Sequence, residues 1–339
     1  MKITLDLLSK WNACSSGKET FEQRFPKGAE YAEVIAACDE DGHEDYRQWI
    51  FKAAFQHLDA SEIVSAEKNQ ITVAIKNGLK LLEEGKTEST DTVSKENKSR
   101  LASSGFNSQL ASSGFNSQLA SSGDDSQLAS SGDDSRLASS GNYSRLASSG
   151  FNSQLASSGF NSRLASSGDD SRLASSGNYS RLASSGFNSR LASSGNYSQL
   201  ASSGFNSQLA SSGFNSRLAS SGNYSQLASS GDDSRLASSG NYSQLASSGD
   251  DSRLASSGFN SRLASSGNYS QLASSGDDSV IAISGLNGSF KLAKGGCAAV
   301  AYKDENDKTR FAVAYVGENI EADILYSVNE KGEFVQAEE

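Results

Sequence analysis

The 339-residue chain has few of the residues that usually carry chemistry: three cysteines, two histidines, two tryptophans, one methionine and one proline. Cys14, Cys38 and Cys297 are too few and too scattered for a disulfide framework, and no pair has the CxxC spacing of a zinc site. They read as reduced, buried structural thiols. No apolar run approaches the roughly 18 residues that a membrane span needs. The start, MKITLDLLSKW, carries an early lysine, but Asp6 interrupts its short apolar run and no small-residue cleavage site follows. It reads as an amphipathic helix and not as a signal peptide. A soluble, cytoplasmic protein with no membrane partner is the expectation.

A basic footprint is also missing. The formal charge is -10, with 18 acids and 13 bases over residues 1–99, 12 and 11 over 100–280, and 10 and 6 over 281–339. The middle is close to neutral and the acidity sits at the two ends, which serves solubility. Direct nucleic-acid binding is not expected.

Nor do the scarce reactive residues come in working sets. His43 lies in DEDGHED with Asp39, Glu40, Asp41, Glu44 and Asp45. Carboxylates and imidazole are metal ligands, but these acids belong to a solvated turn without EF-hand spacing. His57 ends an amphipathic helix and reads as a helix-end or core residue. Cys14 has no base assigned to it by the sequence, so a buried thiol is the better reading. No catalytic residue, cofactor or metal site is expected, and the chain is read as no enzyme.

What is present in abundance is a nine-residue phrase. Leucine recurs every nine residues from Leu101 to Leu272, and Ile281 takes the next place. Each unit reads L-A-S-S-G-x-x-S-R/Q, until Val280 takes the last ninth place. Its sixth and seventh places hold Phe-Asn eight times, Asp-Asp six times and Asn-Tyr six times, so twenty units fill residues 101–280. Gly and several Ser per unit work against helix. A flexible linker needs only composition, not residues retained at fixed places. Strand and turn fit best. Alternation puts the eighth-place Ser, Leu and the third-place Ser on one side, and Arg/Gln, Ala and the fourth-place Ser on the other. Gly with the variable pair supplies the turn, because Gly accepts positive φ and Asn and Asp tolerate it.

One such strand cannot bury its leucine alone, whereas stacked coils can. The expected fold is mainly β: a parallel β-solenoid of nine-residue units, with about 18 residues per coil. Ten coils make a rod on the order of 50 Å long. A three-unit, 27-residue coil stays open, because stacking at either period places Asp-Asp over Asp-Asp once. At 18 the pairs are Asp232 and Asp233 over Asp250 and Asp251. Two leucines per coil are little against the cost of ordering 18 residues. Inter-coil backbone hydrogen bonds and inward serine ladders are expected to supply the rest.

The flanks read differently. Residues 1–85 form a small α-helical N-terminal domain that closes one end. Its helices are read over the opening segment (Ile3, Leu7 and Leu8 on one side), AEYAEVIAAC (29–38), YRQWIFKAAFQHL (46–58) and 61–85. Residues 86–100, KTESTDTVSKENKSR, form a polar linker. Residues 281–339 form a small β-rich C-terminal cap. VIAISG (280–285) seals the last coil, and strands follow at 297–302, 310–316 and 323–328. The cap keeps the array's strand edge from recruiting another chain.

The phrase S-G-x-x-S-x-L-A-S resembles the octapeptide A-G-x-x-S-x-L-T of bacterial ice-nucleation proteins. That family implies a β-solenoid with two repeats per coil and an ice-organising surface of outward Thr-x-Thr rows. Here the unit is one residue longer and the array contains no threonine. The layout also looks like uncharacterised phage and gut-bacterial proteins with A-S-S-G-N-Y-S arrays that end in a module similar to residues 285–336. That resemblance implies no activity.

The function expected is that of a non-catalytic structural or interaction protein. It presents flat serine/alanine/arginine faces and aromatic turn ladders to a macromolecular partner, or to itself along the rod, in a phage-related setting. The candidate interaction edge is Phe106, Phe115, Tyr143, Phe151, Phe160, Tyr179, Phe187, Tyr197, Phe205, Phe214, Tyr224, Tyr242, Phe259 and Tyr269. An ice-binding surface is the alternative. A nucleic-acid mimic similar to pentapeptide-repeat gyrase inhibitors is a second, disfavoured by the neutral array.

Overall fold

A computed structural model of the chain describes residues 2–41, 43, 45, 46, 49, 50, 53 and 92–337. Most of the two helices expected over 46–58 and 61–85, and His57 with them, lie outside the described residues.

In the N-terminal segment the opening residues are not all helix. Lys2–Ile3 (β1) pairs antiparallel with Ala29–Glu30 (β2), and helix α1 spans only Leu5–Lys10. Thr4 sets that boundary, because its hydroxyl accepts the Leu7 N–H at 3.2 Å as an N-cap. Helix α2 (Ser15–Arg24) was not expected, since its only buried apolar residue is Phe21 and no periodicity announces it. Helix α3 spans Tyr31–Asp41. Ile3, Leu8, Phe21, Val34, Ile35 and Ile50 make a core distinct from that of the array.

Each nonapeptide contributes a four-residue strand, from β4 (Arg100–Ser103) to β23 (Gln271–Ser274). Strands 18 residues apart pair in parallel and in register: Leu155 beside Leu173, and Leu164 beside Leu182. A coil is therefore two nonapeptides, and the 27-residue alternative is excluded. One strand of each coil joins a first sheet, which starts at β4. The other joins a second sheet, which starts at β3 (Thr92–Ser94). Each sheet holds twelve parallel strands, about twelve turns in all, so the fold is mainly a parallel β-solenoid.

The two additional turns come from imperfect units at the ends. The stretch read as a linker over 86–100 already carries half a coil, because TVSKENKSR follows the unit with Thr92 opposite Leu110 and Val93 opposite Ala111. At the other end Phe290 stands beside Leu272 and Leu292 beside Ser274 in the second sheet. Cys297–Lys303 (β26) then adds the last parallel strand to the first sheet. After it come antiparallel strands only: β27 (Thr309–Tyr315), β28 (Leu325–Val328) and β29 (Phe334–Gln336). The short β29, FVQ, was not among the expected strands.

The interior is a column of leucines from Leu110 to Leu272, each 1% exposed or less. Serines flank it in an arrangement that differs from the expected ladder. Ser175 Oγ donates to Ser180 Oγ at 2.8 Å, and Ser180 Oγ donates to the Gly177 carbonyl at 2.8 Å. These relays run within one unit, across its own turn, and most recur from coil to coil. The direction along the rod is taken by backbone bonds, which continue through the turns: Ser176 N–H to Ser157 O at 3.0 Å, and Tyr179 N–H to Asn196 O at 2.9 Å. Most buried hydroxyls are thus satisfied locally, with Ser157 Oγ an exception.

The turn also corrects the role given to glycine. Positive φ falls on the seventh place, on Asn, Asp or Tyr, with Tyr179 at +58°. The array glycine is required for closeness instead. A Cβ on Gly177 would lie 2.0 Å from the Gly159 carbonyl oxygen of the preceding coil. Toward the cap the polar relay is deleted as a pair. Ile283 replaces the third-place Ser, and Gly288 replaces the eighth, where a Cβ would meet Ile283 Cγ2 at 2.7 Å. From there the core is mainly apolar, through Phe290, Leu292, Val300, Ile320 and the ring of Tyr326.

Candidate interaction face and turn edges

The two sheets carry the same strand motif, yet their outer faces differ. On the second sheet the outward alanines from Ala129 to Ala255 and the fourth-place serines from Ser131 to Ser257 are exposed in eight consecutive coils. They line a shallow trough of about 1600 Å³ that ends at Val93 and Lys291. On the first sheet Ala120, Ala138, Ala156, Ala210 and Ala228 are buried, and only in the later coils do Ala246 and Ala264 become exposed. The ninth-place residues differ as well. The second sheet shows exposed Arg145, Arg163, Arg181, Arg217, Arg235 and Arg253, while on the first sheet Arg172 and Arg190 are half-buried and Arg100, Arg136 and Arg262 are exposed.

The fourteen aromatics expected along one edge are divided between two. A turn following a first-sheet strand lies on one side of the rod, and a turn following a second-sheet strand lies on the other. Phe106, Tyr143, Phe160, Tyr179, Tyr197, Phe214 and Tyr269 therefore share one edge, and the remaining seven share the opposite edge. The rings do form ladders. On the first edge they run Tyr143, Phe160, Tyr179, Tyr197, Phe214, with Tyr179 and Tyr197 stacked at 4.9 Å and 6°. On the second they run Phe187, Phe205, Tyr224, Tyr242, Phe259, with Tyr224 and Tyr242 stacked at 5.0 Å. Phe106 and Phe115, at the array's start, have no ring in the adjacent coil, because Asp-Asp pairs stand there.

Sixth-place Asn and Asp do a job that the sequence did not signal. Their side-chain oxygen accepts the sixth-place N–H of the following coil: Phe160 N–H to Asn142 Oδ1 at 2.9 Å, and Asp250 N–H to Asp232 Oδ1 at 2.9 Å. The Asp232 and Asp250 pairs do lie over one another, joined by this bond.

The cap end has its own exposed apolar strip. Phe311, Val313 and Tyr315 point outward from β27 and are each about half exposed, an edge-strand liability. The Asn319 carboxamide covers part of that edge, accepting the Tyr315 N–H at 2.7 Å and donating to the Val313 carbonyl at 2.9 Å. Asn319→Ala should strengthen self-association at least several-fold in sedimentation velocity. An unchanged profile would mean that the edge is guarded by something else.

In the N-terminal segment a cavity of about 340 Å³ is lined by Cys14, Arg24, Asp41, His43, Asp45 and Trp49 among others. Cys14 is exposed, not buried as expected; Cys38 is buried and Cys297 half-buried. The Cys14 thiol is held below its ordinary value, chiefly by the Ser16 hydroxyl and then by the Gly17 N–H, which its sulfur accepts at 3.3 Å as the N-cap of α2. Brief iodoacetamide treatment at neutral pH should label Cys14 well ahead of Cys38 and Cys297, as read by peptide mass spectrometry. Equal labelling would contradict this. His43 packs against Tyr46 with ring centroids 5.1 Å apart, and Glu44 lies outside the described residues.

Residues 1–58 match the model of the YdhT N-terminal domain, about a sixth of the chain. No curated protein matches the sequence, and no solved structure matches the fold. Among the described residues, no helix is long and apolar enough to cross a membrane.

Proposed function

We propose that the chain is a non-catalytic rod that presents its second-sheet face, and the turn ladder beside it, to a macromolecular partner. The observation that carries this reading is the open strip of in-register Ala and Ser rows over eight coils, flanked by exposed arginines. A soluble monomer seldom leaves so long an apolar strip uncovered without a use for it. Its length scales with repeat number, so a function spread over a surface tolerates changes in copy number that one active site would not. Photo-crosslinkers at Ala165 and Ala201 should capture one specific partner, and crosslinkers at Ala138 and Ala174 on the first sheet should not. The same products from both faces, or none, would sink the reading.

Water organisation is a second reading, favoured by the constant spacing of the outward Ala and Ser rows. Thermal hysteresis and droplet freezing test it. No effect at high protein concentration removes it.

A further inference from the structure

The trough, the arginines and one aromatic ladder meet along a single line. The ninth-place residue of each second-sheet strand follows the first-edge turn by two positions. Five consecutive coils therefore each place one ring on the edge and one long polar side chain on the open face: Arg145, Arg163, Arg181, Gln199 and Arg217. Among the described residues, none of these four arginines has an ion-pair partner. Like charges facing one another in register across strands are unfavourable. The fold does not require them, because Gln occupies the same place in other units, as at Gln109 and Gln127. A row of unneutralised guanidiniums one strand spacing apart, about 4.8 Å, is complementary to a linear polyanion of similar period.

We infer that this strip binds an acidic polysaccharide, a chain with one carboxylate per sugar. The inference rests on the reading of the second sheet as the interaction face and names the partner's class. Carboxylates match the guanidinium fork. Tyr179, Tyr197 and the fourth-place serines offer hydroxyls to a hydroxyl-rich chain. The ladder disfavours single-stranded nucleic acid, which binds by stacking bases on free aromatic faces. Here the rings cover one another, Tyr179 and Tyr197 stacked at 6° and 4.9 Å and the other pairs of the ladder edge-to-face. Asp-Asp turns at Asp124 and Asp232 bound the ladder on the same edge and repel a polyanion at either end. The strip thus fits a run of a few sugars, not an unlimited chain.

The test uses the full chain and polymannuronate oligomers, with dextran as the neutral control and oligo-dT as the competing polyanion. Calorimetry at low salt should show binding of the uronate alone, weakening as salt rises. Arg145, Arg163 and Arg181 changed together to Gln should lower affinity at least tenfold. Arg100, Arg136 and Arg262 on the first sheet, changed likewise, should leave it within twofold, although the net charge change is the same. Circular dichroism of both triple variants should match the parent, since Gln is native to this place. Equal losses in the two triples would reduce the effect to net charge and overturn the site. Binding of oligo-dT in place of the uronate, or of dextran equally, would overturn the ligand class. If no uronate binds while crosslinkers on the second sheet still capture a single partner, the polysaccharide is wrong and the interaction face stands.

Discussion

Gly177→Ala is expected to destabilise the rod by about 3 kcal/mol, the upper part of the usual range for overpacking. The added methyl would sit 2.0 Å from the Gly159 carbonyl oxygen. Both partners are backbone, so no rotamer change relieves the contact. The coils must separate there, stretching the bond from Ser176 N–H to Ser157 O. Gly177 does not have a positive φ, so the loss is one of space and not of backbone strain. Ser185→Ala, on the exposed face, should stay within about 0.5 kcal/mol of the parent. Urea unfolding followed by circular dichroism compares them. Equal midpoints would mean that the coils are not as close as described.

Leu200→Ala is expected to cost about 2–5 kcal/mol, as for other buried leucines that leave a cavity. It stands between Leu182 and Leu218 in the column, and its own strand contributes no other large apolar side chain. The flanking serines are tied into their own relay and cannot refill the space. Because each coil interacts mainly with its neighbours, the damage should be local. Hydrogen exchange should accelerate most in the coils next to residue 200. Leu101→Ala, at a half-buried position near the array's end, should cost clearly less. An equal cost would argue against position-dependent burial.

Much of the fold was legible because the unit leaves little choice. One leucine per nine residues, with small polar residues at alternate places, can be buried only between stacked strands. The side each residue faces followed from alternation. The ends were less legible. Thr92 stands where the unit has leucine, and Glu96 where it has glycine, so the first half-coil looked like polar linker. Packing tolerates both only at the end of the stack. The reason for glycine was misread because sequence shows that a residue is retained, not whether φ or space demands it; six tyrosines at the positive-φ place show how far the turn overrides preference. The division of the aromatics between two edges was implicit once a coil held two units, since alternate turns then face opposite ways. The difference between the sheets was not legible, because their strands are nearly identical in sequence.

The two-unit coil supports every statement about faces and edges, and spin labels test it most directly. With Cys14, Cys38 and Cys297 changed to serine, nitroxides at Ala165 and Ala183 should sit on adjacent strands of one face and broaden each other strongly. Labels at Ala165 and Ala192 should show no such coupling, since those residues lie on different sheets. Strong coupling at the 27-residue separation, with none at 18, would contradict the account.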